Sequence, residues 1–118
     1  MSKNRRHKRV PITGSADLTL EGKEQIQSFH TLIRDISLSS IGLYSDSHLT
    51  DYVDISLRVN FISTDGSLES AMLRGHVVYS RQIDEMYFVG IEFDKELNGK
   101  DHPSLFRHIQ KEMNPDNL

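Results

Sequence analysis

The sequence predicts a mainly β domain, an antiparallel barrel or sandwich of about six strands that is followed by one amphipathic helix. Apolar and polar residues alternate with period two along most of the chain, and short polar turns separate the alternating segments. Only the last segment changes to a helical period. A length of 118 residues suits one domain, and no apolar run is long enough for a membrane-spanning helix or a secretory signal.

The first half of the chain contains two strand segments and a short apolar run. Residues 16–20 alternate between apolar and polar types, and a second strand is predicted from 26 to 33. Residues 35–40 are rich in Asp and Ser, which is a loop composition, and the apolar run 41–44 follows directly. The pattern therefore predicts a polar loop that leads straight into a strand.

The second half of the chain contains three further strand segments. Residues 55–61 alternate strictly, and the turn composition of residues 64–67 follows, since Asp and Gly tolerate the positive φ of tight hairpins. Two more strands are predicted at about 70–80 and 86–93, joined around residues 82–85.

The final segment predicts a helix over about 101–113. Asp101 is expected to cap its first turn, Pro103 suits that turn, and Asn114-Pro115 ends it. The apolar face of this helix comprises Leu105, Phe106, Ile109 and Met113.

Residue patterns that indicate an enzyme are missing from the sequence. It has no cysteine, no GxSxG or Walker motif, and none of its six histidines has a metal-ligand spacing. We therefore expect no catalytic activity, no metal and no cofactor, and we expect the histidines at the surface or at strand edges. The lack of cysteine is compatible with a cytoplasmic location.

The charge of the chain is divided unevenly between its N-terminus and the rest. Residues 1–9 carry +5 and no acid, so the remaining 109 residues carry −8. A basic segment on an acidic body can hold one compact anion, but it does not cover a nucleic-acid duplex with positive surface. The alternative interpretation of residues 1–9 is a solvated, disordered tail.

Two motifs have the chemistry to bind a guanine nucleotide. Arginine forks in residues 5–9 match guanine O6 and N7 or phosphate oxygens, and they also stack on purine faces. Asp35 is a natural acceptor for the N1–H and N2–H₂ edge of guanine, and Ser37 can donate to a phosphate or to the backbone. The alternative for the second motif is an Asx turn that only reverses the chain.

These motifs, in this order and spacing, resemble the PilZ domain family. The pattern RxxxR occurs at Arg5 and Arg9, and DxS follows at Asp35 and Ser37. Three short segments agree as well: Val10-Pro11, Ile41-Gly42-Leu43 and Val89-Gly90-Ile91-Glu92-Phe93. The resemblance extends over residues 4–113, which is nearly the whole chain.

The resemblance implies that residues 10–118 form a six-stranded antiparallel PilZ-type β-barrel that ends in a C-terminal α-helix. A flexible basic arm at residues 1–9 would precede this domain. It also implies that the domain binds the bacterial second messenger cyclic di-GMP. In the family, arginines of the first motif engage guanine and phosphate, and the Asp and Ser of the second motif close the opposite side. The site residues implied in this way are Arg5, Arg9, Asp35 and Ser37, with Arg6 and Ser40 as additional contacts.

One position departs from the family pattern [D/N]xSxxG. The glycine position is Ser40 here, and Gly42 lies two residues later. Glycine at this position would serve either a positive φ or a close approach of the ligand. A serine is compatible with binding if its hydroxyl donates to a phosphate.

The sequence thus predicts a stand-alone, cytoplasmic cyclic di-GMP receptor whose basic arm folds over the ligand. An unknown effector protein would then recognise the altered surface, in motility, adhesion or biofilm control. We expect one ligand per chain, because relatives that accept a stacked pair often have an arginine at the position of Asn4.

Two alternatives stay open. One is a degenerate PilZ-like adaptor that binds proteins and no nucleotide. The other is a nucleic-acid binder, which the acidic body and the lack of an aromatic platform beside the arginines disfavour. Membrane insertion is not expected.

Overall fold

Six antiparallel strands close into a barrel, and one helix follows them, in a computed structural model that describes residues 7–21, 26–49 and 53–114. The elements are β1 (Gly14–Glu21), β2 (Ile26–Ile36), β3 (Ser40–Ser45), β4 (Asp54–Ile62), β5 (Leu68–Ile83), β6 (Met86–Phe93) and α1 (Pro103–Met113). The strand order around the barrel is β1-β2-β3-β6-β5-β4. This architecture confirms the predicted fold class, and it decides between barrel and sandwich in favour of the barrel.

The period-two alternation fills the barrel with apolar side chains. In β4, Ile55, Leu57, Val59 and Phe61 are each at most 1% exposed, while the residues between them are half-buried or exposed. Successive side chains of a strand point to opposite faces, so a strict alternation in the sequence sends one set into the core. The other five strands contribute further buried aliphatic residues to the same core.

The two tight connections on either side of β5 follow from local turn chemistry. Between β4 and β5, the Asp65 carboxylate accepts hydrogen bonds from Ser63 Oγ at 2.6 Å and from the Ser67 N–H at 3.0 Å. The hydrogen bond from Ser63, followed by those from Ser67, lowers the pKa of Asp65 to about 2. Gly66 adopts φ of +89°, as the turn prediction requires. Between β5 and β6, Asp84 provides the positive φ of 56°.

Helix α1 begins later than the sequence predicts, and the expected Asp101 cap is wrong. The N-cap residue is His102, which makes no side-chain capping hydrogen bond, and Pro103 is the first helical residue. Asp101 instead accepts a hydrogen bond from Asn98 Nδ2 at 3.0 Å and pairs with Lys95 at 3.3 Å. These two contacts, the one with Asn98 foremost, lower the pKa of Asp101. A separate turn before the helix therefore occupies the carboxylate that was expected to cap it.

The apolar face of α1 packs against the barrel core as predicted. Leu105 and Ile109 are at most 1% exposed, and Phe106 and Met113 are partly buried. His108 is also buried, because it lies on the same side of the helix. Its ring meets Phe61 edge-on, with the ring centroids 6.5 Å apart. The expectation that all histidines lie at the surface or at strand edges is therefore wrong for His108.

Residue His108 also ties the helix to the segment that precedes β1. Its Nε2 lies 3.3 Å from the carbonyl oxygen of Pro11, within hydrogen-bonding distance. Pro11 follows directly after the basic segment, so α1 contacts the chain just beyond Arg9 and Val10. Within the described part of the chain, no helix has the length and hydropathy that crossing a membrane requires.

Candidate functional site

A β-bulge near the end of β2 places two consecutive charged side chains on the outside of the barrel. The register of β2 against β3 shifts between Ile33 and Asp35. Ile33 and Ile36 are buried, whereas Arg34 is exposed and Asp35 is half-buried. The side chains of residues 33 to 36 therefore point inward, outward, outward and inward in turn. A bulge inserts one residue into the strand and re-aims the side chains beside it. Asp35 therefore belongs to β2, not to the loop that its composition predicted.

The loop between β2 and β3 is organised by Ser37. Its buried Oγ accepts hydrogen bonds from the backbone N–H groups of Ser39 at 3.1 Å and Ser40 at 3.0 Å. The Ser37 N–H donates to the Ser40 carbonyl oxygen at 2.8 Å. A serine hydroxyl that caps two backbone donors holds a tight turn in one conformation. Ser37 was expected to donate to a phosphate or to the backbone. In the structure its hydroxyl mainly accepts from backbone N–H groups, and its one contact as a donor to the backbone is with the Ser40 carbonyl oxygen at 3.4 Å.

Residue Ser40 lies at the start of β3 rather than in a strained turn. Its Oγ is 3.2 Å from Ser37 Oγ. In the register of β3 against β6, the Ser40 backbone lies opposite Glu92. Among the described residues, Asp84 is the only non-glycine with a positive φ. The backbone at Ser40 therefore has no left-handed conformation that would favour glycine.

We expect the substitution Ser40→Gly not to raise the melting temperature, because there is no positive φ to relieve and a hydroxyl contact with Ser37 is lost. Thermal denaturation of the ligand-free protein measures this. A rise of several degrees would contradict the extended conformation of Ser40. The same variant also shows how the Ser40 side chain affects binding, which it can do by crowding the ligand or by donating to it. Cyclic di-GMP should bind more tightly to Ser40→Gly if the serine crowds the ligand. It should bind more weakly, by about 0.5–1.5 kcal/mol, if the hydroxyl donates to it.

Arg9 and Asp35, one from each motif, form an ion pair on the outside of β2 and β3. Arg9 Nη1 donates to Asp35 Oδ1 at 2.9 Å, and the two side chains are only 9% and 23% exposed. The neighbouring backbone is also fixed, because Val10 N–H donates to Ile36 O at 2.7 Å and Ile36 N–H donates to Val10 O at 2.9 Å. The expectation of an exposed arm is therefore wrong for Arg9. Arg5 and Arg6 lie outside the described residues.

One buried donor of Arg9 has no partner among the described residues. Arg9 Nε is buried and has no hydrogen-bond partner within the described part of the chain. A buried N–H without an acceptor costs about 1–3 kcal/mol, so an acceptor supplied from outside would be favoured here. Guanidinium N–H groups match the oxygens of phosphate and the O6 and N7 atoms of guanine.

Space for the ion pair comes from Gly42 in β3, which pairs with Asp35 of β2. A Cβ atom at Gly42 would lie 2.7 Å from both Arg9 Nη1 and Asp35 Oδ1. A side chain at this position would displace the ends of Arg9 and Asp35, so glycine is favoured here by the close approach of two charged groups and not by its backbone conformation. The sequence analysis noted Gly42 in the family-like segment Ile41-Gly42-Leu43 and as displaced from the motif position, but gave it no role at the site. A glycine inside an apolar strand segment was the signal that could have identified it.

An aromatic cluster on the same outer face lies beside the ion pair. The Phe88 ring of β6 contacts Tyr44, with centroids 5.8 Å apart, and Tyr79, with centroids 5.5 Å apart. The Cβ position of Gly42 is 3.3 Å from Phe88 Cε1, so the cluster adjoins Arg9 and Asp35. An aromatic ring therefore does lie beside Arg9, but Phe88 is only 5% exposed and Arg34 covers it, so the ring itself offers no open platform for stacked bases. The acidic body remains an argument against a nucleic-acid binder.

Three surface cavities lie outside the Arg9–Asp35 pair and the serine loop, although Tyr44 of the aromatic cluster lines one of them. Cavities of about 370 and 460 Å³ adjoin the start of α1, and one of about 560 Å³ lies beside the β5–β6 turn. None of the three is lined by Arg9, Asp35, Ser37 or Ser40. Within the ranges that the structure describes, no three His, Asp or Glu side chains are grouped as a metal site. The candidate site is thus a charged outer surface of the barrel.

A closed six-stranded barrel with a C-terminal helix and a charged pair beside a serine loop defines a small β-barrel domain with a candidate site on its surface. The family model of the PilZ domain matches residues 3–111, and the chain belongs to this family. Comparison with curated proteins finds no match.

The solved structures that share the fold include the following three. The inhibitor of motility MotI/DgrA of Bacillus subtilis has a TM-score of 0.71 at 14% identity, over 96% of this chain and 53% of that chain. The PilZ domain of YcgR from Escherichia coli, a structure with c-di-GMP, has a TM-score of 0.64 at 11% identity, over 98% and 96%. MrkH of K. pneumonia has a TM-score of 0.63 at 14% identity, over 99% and 53%. The chain therefore spans about half the length of MotI/DgrA and MrkH.

Proposed function

We propose that this PilZ domain is a receptor for cyclic di-GMP. The observation that carries the proposal is the Arg9–Asp35 pair, which joins one residue of each motif at 2.9 Å on the outer face of the barrel. Membership of the PilZ family supports it. So does the fold shared with the YcgR domain, whose structure contains c-di-GMP.

Each residue of the pair has a complementary group on the ligand. The guanidinium of Arg9 donates to a phosphate oxygen or to guanine O6 and N7. The carboxylate of Asp35 accepts from the N1–H and N2–H₂ edge of guanine. In the ligand-free protein the two residues partly satisfy each other, so binding exchanges part of the ion pair for contacts with the ligand.

The serine loop and the N-terminal arginines complete the proposed site. Ser37 contributes through the loop that its hydroxyl holds, and the Ser40 hydroxyl donates to a phosphate. Arg5 and Arg6 supply the remaining cationic contacts. The ligand carries two phosphates, so charge neutralisation by these side chains favours binding.

Signalling is proposed to pass through the segment before the barrel. Backbone pairing between Val10 and Ile36 anchors this segment at its C-terminal end. Residues 1–6 then fold over the ligand, and an effector protein recognises the new surface without any catalysis by this chain. Because MotI/DgrA is an inhibitor of motility, motility is one candidate output, alongside adhesion and biofilm control. We place the receptor in the cytoplasm.

Hydrogen exchange distinguishes the anchored residue from those that are proposed to close. We expect the amide of Val10 to be protected with and without ligand, because it donates to Ile36 O at 2.7 Å. The amides of residues 2–6 should become slower to exchange only when cyclic di-GMP is added. Equal exchange of residues 2–6 in both states would contradict the closing mechanism.

Calorimetric titration with cyclic di-GMP tests the proposed function. We expect binding with one ligand per chain, no comparable binding of cyclic GMP or of a nonspecific oligonucleotide, and a loss of about 1–3 kcal/mol for Arg5→Ala. Binding of two ligands per chain would contradict the stoichiometry. No binding by the wild-type chain would favour the second candidate, a PilZ-like protein adaptor, in which the Arg9–Asp35 pair is a permanent structural contact.

A further inference from the structure

Arg34 lies at the candidate site although neither motif includes it. The bulge in β2 turns Arg34 and Asp35 to the same outer face, and Arg34 Nε lies 4.0 Å from Asp35 Oδ2. Asp35 thus has one arginine on each carboxylate oxygen, Arg9 on Oδ1 and Arg34 on Oδ2. A regular strand would have directed one of these two consecutive side chains into the core.

The Arg34 guanidinium is stacked on an aromatic ring. Its Cζ lies 4.6 Å from the centroid of the Phe88 ring. Phe88 is only 5% exposed and is held between Tyr44 and Tyr79, so the ring is a fixed support. The Arg34 side chain remains 50% exposed. One face of the planar guanidinium therefore lies on Phe88, its Nε edge is directed at Asp35, and the opposite face is open.

We propose that Arg34 is a further ligand-binding residue, which stacks its open face on a guanine base of cyclic di-GMP. This inference rests on the proposed function. Guanidinium planes stack on purine faces, and the contact is stronger when the arginine is already held in place. Phe88 and Asp35 hold Arg34 in the ligand-free protein, so little side-chain freedom is lost on binding.

Stacking accounts for this geometry better than a phosphate contact does. A phosphate contact would use the Nη1 and Nη2 edge of the guanidinium, since Nε lies 4.0 Å from Asp35 Oδ2, and it would not need the Phe88 ring. Stacking uses the planar face opposite Phe88, and the ring fixes the orientation of that face. A guanine that donates its N1–H and N2–H₂ groups to the Asp35 carboxylate would lie within reach of the open face of Arg34.

Two substitutions at Arg34 separate stacking from charge. We expect Arg34→Ala to weaken cyclic di-GMP binding about tenfold in calorimetric titration. Arg34→Lys should weaken it nearly as much, because lysine keeps the charge and lacks the planar face. Arg107→Ala, which removes an exposed arginine of α1, is the matched control and should bind as the wild type does.

A third variant tests the support beneath the arginine. Phe88→Leu keeps an apolar side chain of similar size and removes the ring, so we expect binding to weaken several-fold. Melting temperatures of all variants show that each is folded. Wild-type affinity in Phe88→Leu would overturn the stacked geometry, and so would wild-type affinity in Arg34→Lys.

The outcomes for this inference and for the proposed function are distinct. If the wild type binds and Arg9→Ala weakens binding while Arg34→Ala does not, only the role of Arg34 is overturned. If the wild type itself does not bind cyclic di-GMP, the proposed function fails and the inference fails with it. The stacking role of Arg34 is supported if Arg34→Ala and Arg34→Lys both bind cyclic di-GMP weakly while Arg107→Ala binds it with wild-type affinity.

Discussion

Replacing Arg9 with alanine is expected to lower both the stability of the ligand-free protein and its affinity for cyclic di-GMP. The side chain is only 9% exposed and donates to Asp35 at 2.9 Å. Its removal leaves a half-buried carboxylate without its closest cation, which costs about 1–3 kcal/mol of unfolding free energy. The binding free energy should weaken by about 1–3 kcal/mol as well, the scale of one charged or bidentate contact. Urea denaturation and calorimetry measure the two effects separately.

The matched control for Arg9 is its neighbour Lys8. Lys8 is exposed and lies in the same basic segment, so Lys8→Ala removes the same charge without removing a buried contact. We expect Lys8→Ala to leave the free energy of unfolding nearly unchanged. If Arg9→Ala and Lys8→Ala unfold at the same urea concentration, the docked position of Arg9 is wrong.

Placing a methyl group at Gly42 is expected to separate the Arg9–Asp35 pair. The new Cβ would lie 2.7 Å from Arg9 Nη1 and from Asp35 Oδ1, which is closer than real contacts allow. Both side chains must move, and Phe88 at 3.3 Å limits the space on the other side. We expect Gly42→Ala to cost about 1–3 kcal/mol of stability, as overpacking does. We also expect cyclic di-GMP affinity to fall at least about tenfold, because a displaced contact residue binds its ligand poorly.

A double-mutant cycle shows whether Gly42 acts through the ion pair. In an Arg9→Ala background, one of the two groups that the new methyl would displace is absent. The effect of Gly42→Ala on affinity should then be much smaller than in the wild type. Additive losses of affinity would contradict the idea that Gly42 serves to make room for Arg9 and Asp35.

Most strands could be predicted because their residues alternate strictly. The strand predicted at 86–93 has those bounds in the structure, and the segment predicted at 55–61 is β4, one residue longer at each end. The prediction at 35–40 failed in part, since composition alone indicated a loop where β2 continues through Asp35 to Ile36. A bulge is hard to recognise in a period-two pattern, because a single residue that breaks the alternation looks the same as the end of a strand.

The sequence predicted several residues of the candidate site, but it did not predict which of them contact one another. The motifs identified Arg9 and Asp35, and nothing in the sequence indicated that the two side chains pair in the ligand-free protein. Arg34 and Phe88 were missed because their proximity depends on the bulge in β2 and on the pairing of β3 with β6. His108 was expected at the surface, and the packing of α1 against Phe61 buries it.

The sequence by itself determined the six strands, the terminal helix, the family and the two motifs, because periodicity and motif spacing are local properties of the chain. The family resemblance also implied the barrel, which the structure confirms. Only the tertiary structure decided that Arg9 is docked rather than free, and that Gly42 and Arg34 lie beside the Arg9–Asp35 pair. These features join residues far apart in sequence, such as Arg9 and Asp35, 26 positions apart. Such contacts depend on strand register and on the space left between side chains, which no local pattern records.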